Sequence, residues 1–115
     1  MIISKKICSN ITIITLQGSL DASSVRQFQS FTEVSSAADP IVIDLSGVDF
    51  LDSSGLGALV GIARKKREQG GEVVLACMND KVRKVFEITQ VQKLFDIYDD
   101  IEAAAMNVEK KRNRL

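Results

Sequence analysis

Apolar residues along this chain change their rhythm several times, and each change marks an element. Ile2 and Ile3, then Ile11 to Leu16, are rich in β-branched residues and flank the polar pair Ser9-Asn10. That pattern predicts two short strands joined as a hairpin, the second ending at Gly18. A helical period follows, with Val25, Phe28 and Phe31 or Thr32 on one side. Asp21 and then Ser23 or Ser24 offer N-caps to this helix, Ser24 with Gln27 offers a capping box, and the helix is expected to end near Ser35. Asp39-Pro40 returns the chain to an extended form. Ile41-Val42-Ile43-Asp44-Leu45 is then a nearly continuous apolar run, as expected of a strand covered on both faces.

A loop is expected from Ser46-Gly47 through Asp52. From Ser54 onward, Leu56, Leu59, Val60 and Ala63 recur at helical spacing until Gly70-Gly71 stops them. Glu72 to Cys77 reads as another buried strand. Asn79 or Asp80 caps a helix with Val82, Val85, Phe86 and Thr89 on one face. Leu94 to Tyr98 is predicted as a short last strand, and Asp99-Asp100 opens a terminal helix with Ile101, Ala104 or Ala105 and Val108 inward. The sum is an α/β fold: a mixed β-sheet of four to five strands covered by about four helices, most economically in one helical layer. Residues 1–108 form the domain. The stretch 109–115, with Lys110, Lys111, Arg112 and Arg114, is expected to be a frayed basic tail.

Composition then narrows the function. A chain of 115 residues is one domain's worth. Fifteen basic residues match 15 acidic ones, which leaves no net field to attract nucleic acid or anionic lipid. No apolar run approaches the ~18 residues of a membrane span. Cys8 and Cys77 lack Cys-x-x-Cys spacing, and no charged-then-apolar leader precedes the domain. Both features predict buried free thiols in a cytoplasmic protein. Histidine is absent, which removes Ser-His-Asp and Cys-His catalysis and the usual zinc sites. Neither a phosphate-binding loop nor a dinucleotide fingerprint occurs. The expectation is a non-enzyme with no cofactor and no metal.

The stretch Phe50 to Gly61, FLDSSGLGALVG, carries the candidate chemistry. Its serines precede a helix, where backbone N–H groups lack intrahelical partners and the dipole is positive, so a phosphate is electrostatically welcome. The plain alternative is that Ser53 or Ser54 only caps the helix. Gly55, Gly57, Ala58 and Gly61 are costly choices in a helix, which implies either close packing on the sheet or a flat surface open to a partner.

The segment Gly18-Ser19-Leu20-Asp21, followed by Ile43-Asp44-Leu45 and then by Asp52-Ser53-Ser54-Gly55-Leu56-Gly57, resembles the STAS domain of bacterial anti-sigma factor antagonists. The match continues through Gly70-Gly71-Glu72 to Lys84-Val85-Phe86 and covers nearly the whole chain. The resemblance implies a phosphorylation-controlled partner switch. The unphosphorylated antagonist binds an anti-sigma factor that is also a serine kinase; phosphorylation of Ser53 releases it, and a PP2C-type phosphatase restores it. It also implies that Ser54 is the helix cap and that Asp21, Asp52, Ser53, Ser54, Gly55, Leu56 and Gly57 form the partner-binding region. From the residues alone, Asp21 reads more readily as a helix cap than as part of a partner surface.

Arg64, Lys65, Lys66 and Arg67 form a denser basic cluster than the resemblance predicts, read here as a solvated face. The same fold also serves as a subunit of transport complexes and as a partner-switching module with a non-sigma output. A phosphoaspartate receiver has a suitable length, with Asp44 as acceptor, but Gly18 to Asp21 supplies one acid instead of two and Cys77-Met78-Asn79 has no lysine. A serine-lysine hydrolase fails because Lys65 or Lys66 lies about three turns along the helix from Ser53.

Overall fold

The computed structural model describes residues 1–33 and 39–113. Its centre is a five-stranded sheet in the order β1-β2-β3-β4-β5. Strand β1 (Ile2–Cys8) pairs antiparallel with β2 (Ile11–Leu20). Ser9 and Asn10 between them both have positive φ, the primed turn whose twist suits a two-residue hairpin. Strands β3 (Ile41–Leu51), β4 (Val73–Ala76) and β5 (Asp96–Tyr98) then add in parallel. The crossovers are α1 (Val25–Glu33), α2 (Ser53–Glu68) and α3 (Asp80–Thr89), the last followed by a 3-10 turn at Val91–Leu94, and α4 (Ile101–Asn113) closes the chain.

Side-chain alternation along β3 divides the core in two. Ile41, Ile43 and Leu45 join Ile14, Leu16 and Leu75 beneath Phe28, Leu59 and Phe86 of α1, α2 and α3. Val42 points the other way and joins Ile11, Val74 and Ala76 beneath Ala104 and Val108 of α4. The expected single helical layer is therefore corrected to three helices on one face and one on the other. Val42 and Val74 are fully covered apolar residues on the second face, and only a helix there can take them from water.

Several boundaries move as well. β2 does not end at Gly18, and Ser46 to Leu51 is not a loop: the two strands stay paired from Thr15↔Asp44 to Leu20↔Leu51, through two shifts of register. Gly47 permits the first shift, since a Cβ there would lie 2.8 Å from both Gln17 Cγ and the Leu16 carbonyl oxygen. Ser24 and Gln27 form no capping box. The Ser24 hydroxyl instead accepts from Asp21 N and donates to Ser19 O at 2.8 Å, while Gln27 Nε2 donates to Met1 O. The expected helix end near Ser35 falls outside the described residues.

Leu94 belongs to the 3-10 turn, and β5 begins at Asp96. Helix α4 continues through Asn113, past the expected domain end at 108. Both cysteines are free, but Cys8 is exposed and Cys77 half-buried. Lys66 leaves the expected solvated face: it is buried, donates from Nζ to Asp39 O at 3.2 Å, and has its ammonium pKa lowered by that burial.

Candidate functional site

The register pair Leu20↔Leu51 sets up the site. Both leucines are buried, so the next residue on each strand, Asp21 and Asp52, emerges at the same end of the sheet. The two strands remain tied there, with Asp52 N donating to Leu20 O at 3.4 Å.

Asp52 is the N-cap of α2. Its backbone is extended, its Oδ1 accepts from Gly55 N at 3.0 Å, and its carbonyl accepts from Leu56 N at 2.9 Å. This overturns the expectation that Ser54 caps the helix. A carboxylate one residue before the serine pair satisfies the amide first, because it accepts more strongly than a hydroxyl. Ser53 and Ser54 become the first two helical residues, and both are exposed. Neither hydroxyl is needed for the cap, and the first-turn amides lie where no intrahelical acceptor exists.

Asp21 is fastened from its own loop. Its Oδ1 accepts from the Ser23 hydroxyl at 2.6 Å and from Ser23 N at 3.0 Å. The hydroxyl contact is the main reason its carboxyl is held below the usual carboxylate range, with the amides of Ser23 and Ser24 adding to it against partial desolvation. Asp21 is thus a charged group at the mouth of the site at neutral pH.

The glycines separate into two kinds. A Cβ at Gly55 would drive into the Leu20 carbonyl oxygen and lie 2.9 Å from Leu20 Cγ, so this glycine lets α2 settle on β2. A Cβ at Gly57 or Gly61 would meet open space. These two floor a groove of about 570 Å³ between α1 and α2, walled by Gln29, Thr32 and Lys65. Of the seven residues expected at the partner surface, Gly55 and Leu56 lie buried and support the loop from below, whereas Ser53, Ser54 and Gly57 are exposed. Since Gly57 and Gly61 make no packing contact that needs a glycine, Gly57→Ala and Gly61→Ala should each stabilise the domain by about 1 kcal/mol. A denaturant titration reads this directly, and a lower midpoint in either variant would contradict the assignment.

Sequence reasoning missed two features beside the loop. Ser19 Oγ donates to Asp49 Oδ1 at 3.3 Å, and Phe50 stands 49% exposed. The apolar run ending in Phe50-Leu51 concealed which of the two faces the core. Among the described residues, no cluster of His, Cys, Asp and Glu side chains is arranged to hold a metal ion, and no helix is long and apolar enough to cross a membrane.

The arrangement is an α/β sheet that presents an exposed serine pair at a capped helix start. Comparison with known proteins gives it a family. The STAS domain model matches residues 3–104, and the chain belongs to that family. It is 34% identical over 86 residues to the anti-sigma-B factor antagonist of Listeria monocytogenes, covering 73% of this chain and 75% of that protein.

Among solved structures, an anti-sigma factor antagonist from Mycobacterium paratuberculosis superposes with a TM-score of 0.84 at 22% identity, covering 94% of this chain and 93% of the other. The Bacillus cell fate determinant SpoIIAA in its phosphorylated form superposes with a TM-score of 0.71 at 22% identity, covering 93% and 99%. A sulfate transporter family protein from Wolinella succinogenes shares the fold at 14% identity, with a TM-score of 0.79 and coverage of 91% and 89%. These structural likenesses establish the fold, and the fold is common to antagonists and transporters alike.

Proposed function

We propose that this chain is an anti-sigma factor antagonist that works as a phosphorylation-controlled partner switch in the cytoplasm. Unphosphorylated, it binds a serine-kinase anti-sigma factor through the exposed first turn of α2 and the neighbouring Asp21. The kinase transfers the γ-phosphoryl group of ATP to the Ser53 hydroxyl, whose proton is lost, and the antagonist is released. A PP2C-type phosphatase hydrolyses the ester and restores the binding form. The observation that carries this reading is the use of Asp52, not a serine, as the cap of α2. It leaves the exposed Ser53 hydroxyl at the helix start, where new phosphate oxygens meet amides without intrahelical partners. The named relatives support the antagonist role, and the D-S-S-G-L-G block favours it over a transport subunit.

The test immobilises wild-type protein and Ser53→Asp, passes lysate of the source organism over both, and identifies the retained proteins by mass spectrometry. A serine-kinase anti-sigma factor held by the wild type and lost by the variant is the expected result. Retention of the same transport components by both forms would overturn it.

A further inference from the structure

Beyond Asp44 the sheet narrows. β4 pairs with β3 only from Ile41 to Asp44, so Gly47 to Leu51 are paired through β2 alone. On the opposite edge the Asn79 side chain, which also caps α3, donates to Val48 O at 2.8 Å. Within this two-stranded extension Val48 pairs with Gly18 and Phe50 with Ser19, which leaves Asp49 as an extra residue. The Ser19 hydroxyl holds that bulge through the Asp49 carboxylate.

A bulge re-aims the side chains beside it. Here Val48 and Leu51 both enter the core, while Phe50 between them is turned outward and left 49% exposed. Among the described residues, the other large exposed apolar side chains lie on other elements: Ile2 and Ile7 on β1, Ile88 on α3, Leu94 on the 3-10 turn and Met106 on α4. Phe50 alone stands three residues from Ser53, on a strand pinned from both edges. A fixed, half-exposed aromatic ring has the properties of an interface anchor, with large apolar area and little rotamer entropy to lose.

We infer that Phe50 is the apolar anchor of the surface that carries Ser53, and that the anti-sigma factor meeting the first turn of α2 buries this ring in an apolar pocket of its own. The inference rests on the partner-switch reading and assigns separate tasks within it. Phe50 supplies affinity, and Ser53 decides whether that affinity is available.

Titration calorimetry with the purified serine-kinase anti-sigma factor of the source organism tests it. Phe50→Ala should weaken binding about 30-fold or more while its melting temperature stays close to wild type, because the ring is half in water. Phe50→Tyr, which keeps the ring, should bind within about threefold of wild type, and Ile88→Ala, on another surface, should bind as wild type does. If Phe50→Ala also melts early, Phe50→Gln, closer in volume, carries the same expectation. Unchanged affinity in the Phe50 variants, with binding still lost in Ser53→Asp, overturns the anchor and leaves the switch standing. A wild type that binds no such kinase removes both.

Discussion

Gly55→Ala should destabilise this domain more than any other single-methyl addition in α2. The added carbon enters the space of the Leu20 carbonyl oxygen and comes within 2.8 Å of the Leu20 carbonyl carbon, both backbone atoms of a strand paired with β1 and β3. A side chain can swing away from such a contact; this carbonyl cannot. Overpacking of this kind costs about 3 kcal/mol, near the upper end of the usual range. That corresponds to a fall in melting temperature of roughly 10 °C or more for a domain of this size. The effect should reach the site, since Gly55 N is the donor that Asp52 caps. Thermal and denaturant unfolding of Gly55→Ala beside Gly57→Ala make the comparison internal. The two variants have the same chemistry on the same helix and should move in opposite directions. Equal behaviour would mean that α2 does not rest on β2 as described.

Ser53→Asp should weaken binding to the serine-kinase anti-sigma factor by about 100-fold, while Ser53→Ala stays within about threefold of wild type. Each tenfold loss corresponds to about 1.4 kcal/mol, and burying an uncompensated carboxylate at an interface costs several kcal/mol, so two orders of magnitude is a modest demand. Stability should hardly change in either variant. Asp52, not Ser53, satisfies the Gly55 amide, and Ser53 lies exposed. A negative charge in the first helical turn is mildly favourable to the fold itself. Calorimetric affinities and melting curves on the same preparations separate the two quantities. If Ser53→Asp loses affinity only in step with a loss of stability, Ser53 is a structural residue and the switch reading fails.

Much of this was legible in the chain because local periodicity carries it. The β-branched run from Ile41, the helical spacing of Leu56, Leu59 and Ala63, and the cap at Asn79 each depend on residues near one another in sequence, and each stands in the structure close to where the pattern puts it. The D-S-S-G-L-G block, with the strand before it, likewise marked the family. The cap was harder. Asp52, Ser53 and Ser54 all have suitable side chains, and the choice depends on where β3 stops. That point is set by the partner strand.

Sequence by itself therefore determined the elements, the fold class and the candidate serine. Tertiary structure decided the rest: that β2 and β3 run on together to Leu20 and Leu51, that α4 covers the second face of the sheet, and that Lys66 is buried against the Asp39 carbonyl. It also decided that Gly55 is required while Gly57 and Gly61 are open, and that Phe50 turns outward between two buried neighbours. The physical reason is common to all of them. Strand register, close backbone approach and burial depend on atoms distant in the chain, and no local pattern in the residues concerned records which distant atoms will arrive.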